Sequence, residues 1–116
     1  MRLFDSELKI MELLWAQGDM TAKELAEKLS LTVGWNKNTT YTVLKKLVEK
    51  GAVKRTNPGF HCEALVAKDE IRKNAITELV EKLYDGSMQL LFASLISEEK
   101  LTEQEREELQ NLIDKM

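Results

Sequence analysis

Residues 35–51 of the chain read WNKNTTYTVLKKLVEKG. Leu44, Leu47 and Val48, with Thr40 one turn earlier, recur at the i, i+3, i+4 spacing of one helical face. Asn36 is a suitable N-cap, and Gly51 stands where helices commonly end in a left-handed residue. The pattern therefore predicts a helix between Asn36 and Gly51 that buries one face.

The opposite face of this helix carries side chains that are able to contact DNA. Its polar and basic residues are Asn38, Thr39, Thr42, Lys45 and Lys46, with Tyr41 at the border and Lys37 at the start. Amides, hydroxyls and ammonium groups reach base edges and phosphates when a helix lies in the major groove. Taken alone, however, such a face is more often that of a solvated amphipathic helix.

Size and composition indicate a soluble protein of one domain, or of a small domain with an extension. The chain has 116 residues, of which 43% are hydrophobic and 32% charged. It contains no apolar run of the roughly eighteen residues needed to span a bilayer, and no signal-peptide core. A single cysteine fits a reducing compartment. We therefore expect a cytoplasmic protein without membrane insertion.

The distribution of charge favours DNA binding more than the formal net charge of −3 does. Residues 36–56 carry a net charge of +5, whereas residues 67–116 carry −5. The positive charge therefore lies on the predicted DNA-binding helix and the segment after it. The acidic C-terminal half would stay away from DNA.

The order of the predicted elements in residues 1–66 is that of a winged helix. A first helix is predicted from about Ser6 to Gln17, and Thr21-Ala-Lys-Glu24 forms a capping box that opens a second. Residues 52–56 and 60–66 form two predicted strands around the turn Asn57-Pro58-Gly59. The hairpin would place Lys54 or Arg55 near a neighbouring phosphate.

Residues 67–116 are predicted to form three helices that pair two copies of the chain. Ser87 is a suitable cap for the second of these helices, and Thr102-Glu-Gln-Glu105 is a capping box that opens the third. The apolar faces of the three helices are too large to be buried within about fifty residues, so a two-fold dimer is the simplest arrangement. The leucine and isoleucine residues expected in the dimer interface are Leu79, Leu83, Leu91, Leu95, Leu109, Leu112 and Ile113. A dimer would also present two copies of the third helix to a palindromic DNA site.

Four segments resemble the penicillinase-repressor family, which comprises repressors of β-lactamase and methicillin-resistance genes and their copper-responsive relatives. These segments are residues 7–15, the capping box at 21–24, residues 35–51, and Leu83-Tyr-Asp-Gly-Ser87. The match continues through residues 98–109, so it covers nearly the whole chain in order.

The resemblance implies a homodimeric winged-helix repressor that binds operators built on inverted TACA/TGTA half-sites. Family contacts with DNA would fall on Asn38, Thr39, Tyr41, Thr42 and Lys46. Relatives often have arginine where Tyr41 stands, and a phenol cannot make the bidentate contact that arginine makes to guanine. The family's operator sequence therefore does not transfer directly to this chain.

The inducing signal is not fixed by the resemblance. Antibiotic-responsive members are cleaved at an Asn-Phe pair after signalling by a membrane sensor, so a regulatory protease or sensor is a further implied partner. This chain has no Asn-Phe pair, and Ser94-Leu95 occupies the corresponding position. It also lacks the paired cysteines of the copper-responsive members.

Neither a metal site nor an enzyme active site is predicted. His61 and Cys62 are adjacent in a predicted strand, so their side chains should point to opposite faces. Phosphate-binding loops and nucleophile motifs are absent from the sequence. We therefore expect no cofactor, no metal and no catalysis.

Two functions remain open at the level of sequence. The first is a homodimeric transcriptional repressor that reads a palindromic operator in the major groove with its third helix. The alternative is a winged helix used as a protein-interaction module without specific DNA binding. The predicted fold for both is mainly α with a small β-hairpin.

Overall fold

The computed structural model describes residues 1–97 and 101–114, with the backbone alone at residues 112 and 113. Its elements in chain order are α1 (Asp5–Gln17), β1 (Met20–Thr21), α2 (Ala22–Val33), α3 (Lys37–Lys50), β2 (Val53–Thr56), β3 (His61–Ala64), α4 (Lys68–Leu83), α5 (Met88–Ile96) and α6 (Glu103–Asp114). The predicted winged-helix order, followed by C-terminal helices, is confirmed.

The chain divides into two compact units, Met1–Arg72 and Lys73–Met116. This division falls inside α4, whereas the sequence placed the boundary between residues 66 and 67. The first turn of α4 lies with the first unit, where Lys68 Nζ is 2.9 Å from Glu12 Oε2 and Ile71 is buried. The assignment of residues 1–66 to DNA binding and 67–116 to dimerisation stays a prediction.

The small sheet has three antiparallel strands in the order β1-β3-β2, where the sequence predicted only the β2-β3 hairpin. In the added strand, Met20 pairs with Cys62 and Thr21 with His61. Two residues are too short to show the alternation by which a strand is recognised in a sequence. Only the tertiary structure therefore reveals that β1 pairs with β3.

The helix boundaries in the first unit follow capping chemistry. Thr21 Oγ1 accepts a hydrogen bond from Glu24 N at 3.1 Å, which is the threonine half of the predicted capping box, and the Thr21 hydroxyl donates to Glu24 Oε1 at 3.2 Å. The helix α2 continues to Val33. It ends at Gly34, whose φ of 72° is the left-handed conformation that glycine adopts without a steric penalty.

The core of the first unit lies between α1, α2, α3 and the sheet. Its fully buried large side chains include Ile10, Met11, Leu25, Leu44, Leu47, Val53 and Cys62. Trp35 is partly buried and packs against this cluster at its edge. The indole Nε1 of Trp15 donates to the Val66 carbonyl at 2.9 Å, which fixes the chain after β3 on α1.

A buried ion pair joins the start of α1 to the end of α3. Glu7 is only 1% exposed, and its Oε1 lies 2.6 Å from Lys50 Nζ. The same oxygen accepts from Phe4 N at 2.8 Å, while Lys50 Nζ also donates to the Arg2 carbonyl at 3.0 Å. The sequence analysis did not identify Glu7 as a buried residue, because its partner Lys50 lies far along the chain.

The second unit contains two well-capped helices that pack on each other, α5 and α6. Ser87 Oγ accepts from Leu90 N at 3.1 Å, which confirms the predicted cap of α5. In the predicted capping box of α6, Thr102 Oγ1 accepts from Glu105 N and Glu105 Oε1 accepts from Thr102 N, both at 3.1 Å. Hydrogen bonds to the Glu105 carboxyl from the Thr102 amide, and to a smaller extent from the Thr102 side chain, lower the pKa of this carboxyl. None of the helices in the described residues has the length and apolar character needed to cross a membrane.

Loss of the buried pair at Glu7 should destabilise the first unit. Lys50→Met leaves the Glu7 carboxylate buried without its cation, so we expect a loss of about 2 kcal/mol in the free energy of unfolding. This is below the roughly 3–5 kcal/mol typical of fully buried pairs, because Lys50 is 30% exposed. Urea denaturation measures the loss.

Two variants give the comparison its controls. Lys9→Met changes an exposed lysine of α1 and should leave stability nearly unchanged. Glu7→Gln in the Lys50→Met background removes the buried charge and should recover most of the loss. Equal stabilities of Lys50→Met and Lys9→Met would mean that the pair contributes nothing.

Candidate nucleic-acid interface

The start of α3 is fixed by a side-chain cap. Asn36 Oδ1 accepts from Thr39 N at 2.9 Å and from the Thr39 hydroxyl at 3.2 Å. The Thr39 amide also lies 3.1 Å from the Asn36 carbonyl, so the side chain of Asn36 adds a second acceptor for it and orients the Thr39 hydroxyl. At the other end, Gly51 has a φ of 81° and its N–H donates to the last turn. Both helix ends are those predicted from the sequence.

The exposed face of α3 contains the predicted DNA-contacting residues. Lys37, Asn38, Thr42, Lys45 and Lys46 are exposed, and Thr39 and Tyr41 are half-buried. On the inner face, Thr40, Leu44 and Leu47 are buried as predicted, and Val43 joins them. The helix therefore presents a continuous polar and basic face.

Two lysines, one on α2 and one at the start of α3, line the same open cavity. Lys37 Nζ is 5.6 Å from the centre of the Tyr41 ring, within the range of a cation–π contact. Lys37 also lines an open cavity of about 530 Å³ together with Lys23 of α2. Lys23 was not among the predicted site residues, because only the tertiary structure brings α2 and α3 to the same cavity.

The β2-β3 hairpin carries two cationic side chains, Lys54 and Arg55. Arg55 is exposed and stands directly opposite Cys62 in the strand pairing. Its guanidinium carbon lies 4.9 Å from the centre of the Phe60 ring. Lys54 is also exposed, and it pairs across the strands with Glu63. The hairpin thus carries the predicted cations, with an aromatic partner for Arg55 that the sequence analysis did not identify.

His61 and Cys62 point to opposite faces of β3, as the strand period predicted. Cys62 is fully buried, whereas His61 is exposed with its Nε2 3.5 Å from Asp19 Oδ2. Burial raises the pKa of the Cys62 thiol, and the Arg55 charge opposes that rise. The described residues contain no group of three or more histidine, cysteine or carboxylate side chains placed to hold a metal.

The predicted dimer residues differ in how much surface they leave uncovered. Leu79, Leu83 and Leu95 are exposed, by 71% in the case of Leu83, whereas Leu91 is only 8% exposed within a single chain. Leu109 is half-buried. The side chains of Leu112 and Ile113 lie outside the described residues. The exposed leucines are therefore the part of the set with most surface available to a partner.

The arrangement of three helices and a three-stranded sheet, with a basic outer face on α3, defines a winged helix-turn-helix protein. A likeness to a solved structure agrees with this class. The solution structure of the DNA-binding domain of the repressor BlaI matches 60% of this chain and 93% of its own chain, with 26% identity and a TM-score of 0.55.

The chain belongs to the penicillinase repressor family, whose model matches residues 3–115. It is similar to the methicillin resistance regulatory protein MecI of Staphylococcus aureus, with 26% identity over 112 residues, or 95% of this chain and 91% of the relative. It is also similar to the penicillinase repressor of Bacillus licheniformis, with 23% identity over 115 residues, or 97% of this chain and 90% of the relative.

Removal of the Asn36 cap at the start of α3 should lower the free energy of unfolding. Asn36→Ala is expected to cost about 1 kcal/mol, because the amide and hydroxyl of Thr39 lose their side-chain acceptor, and Asn36→Asp should retain most of the stability. Asn38→Ala is the matched control, since Asn38 is an exposed asparagine in the same turn without this capping role. Urea denaturation compares the three; an equal effect of Asn36→Ala and Asn38→Ala would argue against the cap.

Proposed function

We propose that this protein is a DNA-binding transcriptional repressor. It acts as a homodimer that reads a palindromic operator in the major groove with α3. The observation that carries the proposal is the exposed face of α3, where amide, hydroxyl and ammonium groups stand together on a helix fixed at both ends. Its membership of the penicillinase repressor family supports the same function.

The chemistry of the face suggests two kinds of contact with DNA. Lys37, Lys45 and Lys46 carry positive charge that would neutralise phosphates without regard to sequence. Asn38 and Thr42 carry shorter polar groups that would reach base edges, and these contacts would supply sequence preference. Thr39 and Tyr41 complete the proposed base-reading surface, and Arg55 on the hairpin would add a contact outside α3.

The second unit supports the homodimer through its uncovered apolar surface. Leu79 and Leu83 lie one turn apart on α4, and both are exposed in the single chain. Pairing two copies by such surfaces would bury them and place two copies of α3 on one face of DNA. In helix-turn-helix dimers the half-sites lie one helical turn apart, roughly 34 Å, or a multiple of it.

Sequence selection from random duplex DNA tests the repressor directly. We expect enrichment of an inverted repeat, and an affinity that falls steeply with salt because bound lysines release counterions from phosphates. Lys46→Ala should weaken binding to all sequences alike and reduce the slope of log affinity against log salt by about 1. Thr42→Ala should instead alter sequence preference. The change in the binding free-energy difference between sequences should be smaller than that of a bidentate base contact, which is about 1–3 kcal/mol.

The control for these variants is Lys9→Ala, which removes an exposed lysine from α1 and should leave binding unchanged. Gel-shift titrations at two salt concentrations provide the affinities. Absence of any enriched sequence, with equal behaviour of Lys46→Ala and Lys9→Ala, would contradict the proposal. That result would favour the alternative, a winged helix that binds another protein.

The dimer has a separate test in the exposed leucines of α4. Leu79→Asp combined with Leu83→Asp places two charges on the proposed interface, so we expect a monomer in analytical ultracentrifugation and a loss of tight operator binding. Leu31→Asp is the control, because Leu31 is an 87% exposed leucine on α2 of the first unit, and this variant should stay dimeric. Dimers that survive the double substitution would place the interface elsewhere.

A further inference from the structure

Arg55 occupies an unusual place in the hairpin for an exposed cation. Partners across antiparallel strands share a face of the sheet, so Arg55 leaves the sheet on the side of the buried Cys62. Val53, two residues earlier on the same face, is buried in the core. A guanidinium cannot follow Val53 into the core without a large desolvation penalty. The side chain turns instead to the ring of Phe60, 4.9 Å away.

Phe60 is held in place through its own backbone. Its carbonyl accepts from Ala22 N at 3.0 Å and from Cys62 Sγ at 3.2 Å, which connects the hairpin turn to the start of α2 and to the core. Its φ of 50° follows the left-handed Gly59, and a bulky residue at positive φ is uncommon. The ring remains 42% exposed. Residues kept in such conformations are concentrated at functional sites.

The geometry of the Arg55–Phe60 contact leaves the arginine able to bind an anion. A cation–π contact uses the flat face of the guanidinium, whereas its N–H groups donate from the edge of the plane. A free arginine loses much side-chain entropy when it binds a phosphate, and a guanidinium already held against a ring loses less.

We infer that Phe60 is a positioning residue that holds Arg55 ready to contact DNA beside the operator site read by α3. This inference rests on the proposed function and deepens it. Phe60 does not itself contact the DNA. Its ring acts only by holding the guanidinium of Arg55. The sheet and the start of α2 form the rigid base that keeps ring and guanidinium together.

Binding of the duplex selected by the wild-type protein tests the inference. Phe60→Leu keeps an apolar side chain but removes the aromatic face, and should weaken binding about two- to fivefold, the range of one exposed cation–π contact. Phe60→Tyr restores an aromatic face and should bind like the wild type. Thermal melting of each variant shows whether the fold is intact.

The salt dependence separates the roles of the two residues. Arg55→Ala removes a charge and should reduce the slope of log affinity against log salt by about 1. Phe60→Leu removes no charge, so its slope should match that of the wild type. In the Arg55→Ala background, Phe60→Leu should cause no further loss, because the ring then has no guanidinium to hold.

Several results would overturn the inference. Wild-type affinity of Phe60→Leu would show that the ring is dispensable, and an equal loss in the presence and absence of Arg55 would show a merely structural role. An Arg55→Ala variant with unchanged affinity and salt slope, alongside a weakened Lys46→Ala, would overturn the hairpin contact while leaving the repressor intact. Failure of the wild type to select any duplex would overturn both.

Discussion

Burial of the inner face of α3 is the constraint on which the first unit depends. Leu44 and Leu47 are fully enclosed where α3 meets α1, α2 and β2. An isolated helix of 14 residues is marginal in water, so this packing supplies most of its stability. It also fixes the rotation of the helix about its axis. Every exposed residue of the candidate interface takes its direction from that rotation.

Polar contacts then fix the two ends of α3, which non-directional apolar packing alone would not fix. The pair between Glu7 and Lys50 joins the first turn of α1 to the last turn of α3, and the Asn36 cap holds the opposite end of α3. Apolar packing is non-directional, whereas a buried carboxylate has few acceptable partners. The charge on Lys50 is therefore used within the fold. The lysines available to a nucleic acid are those of the outer face.

The second unit differs from the first because a single chain does not cover its apolar surface. Its helices have good caps, at Ser87 for α5 and at Thr102 for α6, yet several large leucines remain uncovered within one chain. Capping determines where a helix begins, but it does nothing to bury an apolar face. Exposed leucines on α4 and α5 fit the proposed interaction surface. Residues 67–116 carry a negative net charge, whereas residues 36–56 carry a positive one.

The sequence by itself determined the features that depend on neighbours in the chain. These include the N-caps at Thr21 and Asn36, the left-handed end at Gly51, the capping box at Thr102, and the opposite directions of His61 and Cys62. The exposed face of α3 was also predictable, because helical period and burial are coupled. Only the tertiary structure decided the contacts between distant residues. The short strand β1, the burial of Glu7 and the contact of Arg55 with Phe60 each depend on elements brought together by folding, which no local pattern encodes.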